Sequence, residues 1–178
     1  AYASALREHR IVHVYGYSSS LAELSRLALE NDIRLPRLKV VVTNAEPLEP
    51  FQRAVIAEAF GAEVRTTYGM SEAVTGASEC SAGELHLWPD AGVLEVFADD
   101  APERAPDGTS GRLVCTGLLN DVMPLIRYDI GDRGAMLPAS HEACTCVRHM
   151  PRLARLEGRS IDNLVTPDGR KVFWVNPV

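Results

Sequence analysis

Three short runs rich in β-branched residues occur within the first seventy positions, and each run predicts a strand. The runs are IVHVY at 11–15, LKVVVT at 38–43 and EVRTTY at 63–68. Two longer segments with helical spacing separate them. Strands that alternate with helices of this length predict right-handed crossovers and a largely parallel sheet.

Both helical segments place apolar residues at intervals of three to four positions. These residues are Leu21, Leu24 and Ala28 in the first segment and Phe51, Val55 and Ala59 in the second. The second helix is predicted to begin near Pro50, since proline is favoured in a first helical turn, and to stop at Gly61. The first part of the chain is therefore predicted to form helices against a sheet.

From about residue 83 the pattern changes to short apolar runs that are separated by turn residues. The predicted strands are ELHLW, VLEVFAD, RLVCTGL, LIRYDI and GAMLPA. Asp107-Gly108 and the segment 132–134 supply turn residues, and the polar stretch 98–111 is predicted to be an exposed loop between two strands. The fold class is thus α/β, with a partly parallel sheet flanked by helices followed by a small β-rich subdomain.

Composition excludes two classes of partner. The net charge is −6, with no basic footprint, so we predict no nucleic-acid partner. No run of eighteen apolar residues occurs, which excludes a membrane span. Four unevenly spaced cysteines do not suit a secreted disulfide framework and favour the reducing cytoplasm.

Small and polar residues follow the second and third predicted strands, at 44–47 and 68–72. Ligands of open parallel sheets bind beyond the carboxyl ends of the strands, and small residues let the backbone approach a flat base or a phosphate. Each segment is also typical of a plain strand-to-helix loop with a capping acid. The residues alone leave both interpretations open.

Four motifs together resemble the adenylate-forming enzymes. They are TNAEPLEP (43–50), YGMSE (68–72), RYDIGD (127–132) and GRSIDN (158–163), in the order and rough spacing of that family. The stretches ECSAGELHLWPDAGVLEV and MPLIRYDIGD are similar to phenylacetate-CoA ligases and to capsule-biosynthesis-type ligases in particular. The resemblance covers most of the chain, and the four segments are expected to meet at one edge of the sheet.

This resemblance implies ATP-dependent activation of a small carboxylic acid as an acyl-adenylate, with Mg²⁺, followed by transfer to coenzyme A. An aromatic or medium-sized acid is implied as the substrate. The acceptor remains open between coenzyme A, an amine and a carrier protein. The oligomeric state is open as well, with a homodimer as one alternative.

The family's site residues map onto individual positions of this sequence. By resemblance, Ser71 and Glu72 are catalytic: Ser71 bonds the α-phosphate and Glu72 holds Mg²⁺, a cation that prefers oxygen ligands. The residues implied in binding ATP or AMP are Ala45, Glu46, Pro47, Tyr68, Gly69, Met70, Asp132 and Arg159. Of these, Ala45, Glu46, Pro47 and Tyr68 are expected around the adenine, and Asp132 and Arg159 at the ribose.

The family also implies a division of the chain and a hinge. Residues 1–76 are predicted as an α/β nucleotide-binding subdomain, 77–157 as the β-rich subdomain, and 158–178 as the hinge and the start of a truncated C-terminal lid. The family often has two successive acids at the hinge, whereas this sequence has Ile161 and then Asp162, so the pivot residue is open. We expect the chain to be an incomplete and poorly active portion of a ligase.

Cysteine and histidine residues suggest a metal site of the Cys₃His type, formed by Cys80, His86, Cys144 and Cys146. Spacing alone leaves free cytosolic thiols open, and His141 is an alternative to His86. Some phenylacetate-CoA-ligase-like proteins have cysteines at similar places, which favours structural zinc. Two competing hypotheses remain: a non-catalytic, zinc-stabilised nucleotide-binding or scaffolding module derived from such a ligase, and an unrelated α/β nucleotide-binding protein.

Overall fold

The computed structural model describes residues 1–99, 101–159, 163–167 and 171–173, with the backbone alone at 163–165 and 171–173. The chain divides into two compact units, residues 1–68 and 69–178. No described helix is both long enough and apolar enough to span a bilayer.

The first unit is built from helices and parallel strands. Its elements are α1 (Tyr2–Glu8), β1 (His13–Tyr17), α2 (Ser18–Glu30), β2 (Val40–Asn44), α3 (Pro50–Phe60) and β3 (Glu63–Gly69). β1 pairs in parallel with β2, and β2 pairs in parallel with β3. The predicted partly parallel sheet with flanking helices is confirmed. The short helix α1, which buries no residue of its own, was not predicted.

The core of this unit is one cluster of apolar side chains from α2, α3 and the strands. Its buried members are Leu21, Ala22, Leu38, Val41, Ile56, Phe60 and Val64. The predicted apolar face of α3 was wrong in part, since Phe51 is 69% exposed whereas Ile56 and Phe60 are almost completely buried. Periodicity alone did not distinguish the two faces, because apolar side chains occur on both.

The ends of α3 follow from local chemistry. The side chain of Gln52 accepts a hydrogen bond from the main-chain N–H of Glu49 at 3.0 Å, and Pro50 opens the helix. Gly61 ends it in the left-handed conformation with φ of 56°, which glycine adopts at little cost. Both predicted ends of this helix are confirmed.

The second unit is mainly antiparallel. Its strands are β4 (Gly76–Glu79), β5 (Leu85–Leu87), β6 (Gly92–Phe97), β7 (Gly111–Gly117), β8 (Tyr128–Met136), β9 (Arg152–Arg159), β10 (Asn163–Val165) and β11 (Lys171–Phe173). Within it the neighbours run β4-β5-β9-β8-β7-β6, while β10 and β11 form a separate pair. The predicted β-rich character is confirmed, although β4, β9, β10 and β11 were not predicted.

One predicted turn was wrong. Residues 132–134 lie inside β8, which joins the two strands that LIRYDI and GAMLPA predicted. The pairing of β8 with β9 shifts register between Arg133 and Gly134, so the strand bulges there and continues. A Cβ on Gly134 would lie 2.6 Å from the carbonyl oxygen of Arg155. Gly134 therefore allows β8 and β9 to approach each other closely, and it does not form a turn.

Candidate functional site

The segment after β2 carries three predicted adenine-site residues, Ala45, Glu46 and Pro47. The Glu46 carboxylate accepts a hydrogen bond from the main-chain N–H of Ser19 at 2.9 Å, and the hydroxyl oxygen of Ser18 lies 3.3 Å from it. The first N–H groups of a helix have no partner within it, and the helix N-terminus attracts negative charge. Glu46 thus caps α2, while Ala45 and Pro47 are exposed.

Ala45 has a φ of 63°, which is unusual for a residue with a side chain. The Ser18 hydroxyl donates to the carbonyl oxygen of Pro47 at 2.9 Å, so the start of α2 holds this segment through its backbone as well as through Glu46. The exposed backbone at 45–47 is therefore fixed in place. Capping and nucleotide contact are compatible here, since they use different atoms of the segment.

The YGMSE motif spans the end of β3 and the loop that follows. Tyr68 and Gly69 close the strand, and Tyr68 is half-buried. Ser71 is exposed and Glu72 is half-buried on the loop before β4. The hydroxyl and the carboxylate are therefore accessible to a ligand, as their predicted roles require.

Glu72 contacts the start of β8. The hydroxyl of Tyr128 donates to Oε1 of Glu72 across 3.3 Å. Among the described residues, no other hydrogen bond or ion pair reaches this carboxylate, so its second oxygen remains available to a cation. Sequence reasoning missed Tyr128. Its position inside the RYDIGD motif was the available signal, but only Asp132 of that motif was assigned a role.

Asp132 and Arg159 are direct cross-strand partners on β8 and β9. The guanidinium Nε of Arg159 lies 3.7 Å from Oδ1 of Asp132, with the side chains 59% and 15% exposed. RYDIGD and the start of GRSIDN, 27 positions apart, therefore meet in space. Ile161 and Asp162, the two hinge candidates, lie outside the described residues.

The four predicted metal ligands come together in the second unit. Their ligand atoms all lie within 4.8 Å of one another. The sulfur atoms of Cys80 and Cys144 are 3.6 Å apart, and Nε2 of His86 is 3.4 Å from the sulfur of Cys146. A tetrahedral zinc ion with its usual bond lengths spaces two sulfurs by about 3.8 Å and a sulfur and a nitrogen by about 3.6 Å.

The surroundings of this cluster suit a metal ion. Burial opposes ionisation of the Cys80 thiol, but N–H groups of Glu84 and Ala82 and the neighbouring thiols outweigh it and lower its pKa. At Cys144 the Cys146 N–H favours ionisation, but burial and the neighbouring thiols outweigh it and raise the pKa, so one thiol of the pair ionises before the other. Burial, then the charges of Arg148 and Arg152, lowers the pKa of His86 and keeps the imidazole neutral. A thiolate and a neutral imidazole are the forms that bind metal.

The alternative ligand His141 and the fourth cysteine, Cys115, do not belong to the cluster. His141 is exposed and is not part of the group of ligand atoms. Cys115 is completely buried in β7, and burial raises the pKa of its thiol to about 12. Cys115 is therefore a core residue that stays protonated at neutral pH.

A cavity of about 560 Å³ lies beside the cysteine segment of the second unit. It is lined by residues 94–96, 104–109, 136–139 and 148–152 and by Cys144, among others. Neither Glu72 nor Asp132 lines it. The cavity is thus separate from the predicted nucleotide residues.

Curated relatives cover most of this chain. It is 35% identical over 153 residues to a phenylacetate-coenzyme A ligase of Thermus thermophilus, a match that spans 84% of this chain and 34% of the relative. It is 33% identical over 149 residues to the phenylacetate-coenzyme A ligase of Aromatoleum evansii, spanning 82% of this chain and 32% of the relative. The chain therefore spans about a third of the length of these relatives. No protein-family model matches it.

Solved structures of 2-hydroxyisobutyryl-CoA ligase share the fold. One, in the postadenylation state with R3-HIB-AMP, superposes with a TM-score of 0.80 at 28% identity, over 96% of this chain and 37% of that one. Another, in an open conformation with 2-HIB-AMP and CoA, gives a TM-score of 0.76 at 28% identity, over 96% of this chain and 41% of that one. The chain is therefore homologous to the phenylacetate-CoA ligases and has the fold of adenylate-forming acyl-CoA ligases over about a third of their length.

Proposed function

We propose that this protein activates a small carboxylic acid with ATP and Mg²⁺ as an acyl-adenylate and then transfers the acyl group to coenzyme A. The observation that carries the proposal is the meeting of separate motifs within one unit. Glu72 of YGMSE contacts Tyr128 of RYDIGD, and Asp132 of RYDIGD pairs with Arg159 of the next motif. In an unrelated nucleotide-binding protein, these motifs would be expected to lie apart.

The roles of the residues follow from their chemistry. Asp132 offers two carboxylate oxygens, which suit the two hydroxyls of a ribose, and Arg159 lies beside it. Ser71 is an exposed hydroxyl donor for an α-phosphate oxygen. Glu72 has one oxygen held by Tyr128 and the other available for Mg²⁺. The exposed segment 45–47 and the Tyr68 ring supply surfaces for the adenine.

The reaction proceeds in two steps. A carboxylate oxygen of the acid attacks the α-phosphorus of ATP, and the bond to pyrophosphate breaks. The sulfur of coenzyme A then attacks the acyl carbon, and AMP leaves with the bonding electrons. The names of the curated relatives support an aromatic acid as the substrate class.

A binding experiment tests the nucleotide site. Thermal unfolding of the chain with and without millimolar ATP and Mg²⁺ should show a rise in midpoint, because a ligand that binds the native state stabilises it. Asp132→Ala should reduce this rise. Asp121→Ala, which removes an exposed acid from a loop of the same unit, is the matched control and should keep it.

Two outcomes would contradict the proposal. The first is no response of the native sequence to ATP, AMP or an acyl-adenylate analogue. The second is an equal response of native protein and Asp132→Ala. The first outcome combined with tight metal binding would favour the alternative, a non-catalytic zinc-stabilised module.

We also propose that Cys80, His86, Cys144 and Cys146 bind one structural zinc ion. The spacing of the four ligand atoms supports a closed tetrahedral site with no position for water. Such an ion would tie the loop that carries Cys144 and Cys146 to strands β4 and β5 of the same unit. Reduced thiols also fit our proposal of a cytoplasmic protein.

Metal analysis tests this site independently of any activity. Protein purified with zinc should contain one equivalent, and His86→Ala should lose most of it. His141→Ala, a histidine outside the cluster, is the matched control and should retain the metal. A metal-free native protein after exposure to zinc would overturn the site.

The division into parts 1–76, 77–157 and 158–178 also remains our proposal.

A further inference from the structure

Tyr128 has a fixed place at the start of β8. It pairs with Cys115 on β7, a completely buried residue, so its backbone belongs to the core of the sheet. Its hydroxyl reaches out of the sheet to Oε1 of Glu72 at 3.3 Å. Glu72 itself lies on a loop, next to Ala73 with its φ of 52°. The hydrogen bond therefore joins a loop carboxylate to a rigid strand.

The residue before Tyr128 is held in an unfavourable conformation. Arg127 has a φ of 50°, which costs free energy for a residue with a side chain. Its main-chain N–H donates to the hydroxyl oxygen of Thr116 at 3.0 Å. Strained residues of this kind persist only where surrounding contacts determine them, and they cluster at functional sites.

Two further contacts fix the Arg127 side chain. Its guanidinium donates to both oxygens of Glu95, at 3.2 and 3.1 Å, and it lies 5.6 Å from the ring centroid of Phe97. The carboxylate of Glu95 is buried, with 8% of its side chain exposed. A buried anion requires partners, which Arg127 and Arg104 supply together. Together these contacts fix where the backbone enters β8.

We propose that Tyr128 is a positioning residue that holds Glu72 for Mg²⁺, and that the contacts of Arg127 with Glu95, Phe97 and Thr116 set its place. This inference rests on the proposed function, in which Glu72 binds the cation of ATP. The phenol donates to Oε1, so Oε2 would be available to the metal. Partners of this kind orient metal ligands, and their loss weakens metal affinity.

The test compares two nucleotides. Tyr128→Phe removes the hydroxyl and keeps the ring, so the sheet should remain intact. Its affinity for ATP in the presence of Mg²⁺, measured by calorimetry, should fall about tenfold, the lower end of the range for residues that orient metal ligands. Its affinity for AMP, measured without Mg²⁺, should stay the same. A purely structural loss would weaken both nucleotides equally.

Two more variants complete the design. Thr116→Val removes the acceptor of the Arg127 N–H at nearly constant volume. It should also weaken binding of ATP with Mg²⁺ and leave binding of AMP unchanged, but the loss of affinity should be smaller than in Tyr128→Phe. Tyr2→Phe is the control, since Tyr2 is 73% exposed in α1, and it should change neither affinity.

The outcomes separate this inference from the function on which it rests. Native protein that binds neither nucleotide overturns the proposed function and the positioning role with it. Native protein that binds both, with an unchanged Tyr128→Phe, overturns the positioning role alone. Equal weakening of both nucleotides by Tyr128→Phe also overturns it. A loss confined to ATP with Mg²⁺, in Tyr128→Phe and more weakly in Thr116→Val, supports it.

Discussion

The two compact units bury different kinds of polar side chain. In residues 1–68 the buried polar groups are the hydroxyls of Ser18, Ser25 and Thr43, beside a single apolar cluster. In the described part of 69–178 they include ionisable groups, which are His86, Glu95 and Arg152. The first unit can therefore be held by apolar contact, whereas the second also depends on particular partners.

One buried polar side chain from each unit illustrates this difference. The Ser25 hydroxyl donates to the carbonyl of Leu21, one turn earlier in its own helix, at 2.7 Å. Arg152, in contrast, bonds the Glu84 carboxylate, 68 positions earlier in the chain, and also the carbonyl of Glu142. A hydroxyl can be satisfied locally, but a buried charge needs a partner brought by the fold. The second unit should thus be more sensitive to the loss of single polar groups.

The largest expected effect is loss of the metal site. Cys80→Ser should lower the free energy of unfolding by about 5 kcal/mol in the presence of zinc, because a structural metal contributes its binding free energy to folding. Urea denaturation measures the loss. Hydrogen exchange should locate it at the amides of β5 and β9. In a strong chelator, native protein and variant should become similar.

Cys115→Ala is the matched control for this variant. It removes another completely buried thiol, one that lies in β7 outside the cluster, and should cost about 1 kcal/mol with no loss of zinc. If both cysteine variants lose the same stability, the second unit is held by apolar packing as the first is. The contrast between the units would then be wrong.

Removal of a core ring tests the first unit. Phe60→Ala should cost about 4 kcal/mol, since the side chain is 1% exposed within the apolar cluster and its loss leaves a cavity. Phe51→Ala, on the same helix but 69% exposed, should cost little. Urea denaturation measures both. Neither loss should depend on zinc, and an equal loss from the two variants would contradict the assigned core face of α3.

The buried anion of the second unit gives an intermediate effect. Glu95→Gln should cost about 2 kcal/mol at pH 7, less than a fully buried pair, because its partners Arg104 and Arg127 are 67% and 61% exposed and can be solvated. Urea denaturation against pH measures it. Burial opposes ionisation of Glu95, but both arginines outweigh it and lower its pKa.

The pH dependence of this effect has a definite sign. A carboxyl whose pKa is lowered by folding stabilises the native state above its unfolded pKa of about 4.3 and loses that contribution as the pH falls through its folded value. The difference between native protein and Glu95→Gln should therefore shrink below pH 4.3 or so. A difference that stays constant down to acid pH would show that the charge of Glu95 is not what stabilises the unit.

Much of the fold could be predicted because local patterns and tertiary structure agree. Helix α3 has Pro50 at its start and Gly61 at its end, and both signals are local. The turn predicted at 132–134 failed because a β-bulge and a turn favour the same residues. The difference depends on β9, a strand that the sequence pattern did not reveal.

The metal cluster was predictable as a set of residues, since few side chains bind zinc. The choice between His86 and His141 was not, because it depends on the pairing of β5 with β4 and β9. Tyr128 was missed for a related reason. Its contact with Glu72 joins positions 56 apart, and only the packing of the unit brings them together.

The smallest expected effect concerns surface ion pairs, which both units possess. Arg26 on α2 bonds Glu23 and Glu30 at 2.6 Å, but all three side chains are about half exposed. Solvent screens such pairs, and alanine is a better helix former than arginine, so Arg26→Ala should hardly move the thermal midpoint at low or high salt. Calorimetry at two ionic strengths measures this. A loss as large as that of Glu95→Gln would mean that charge pairs hold the first unit too, and the difference between the units would then lie in burial alone.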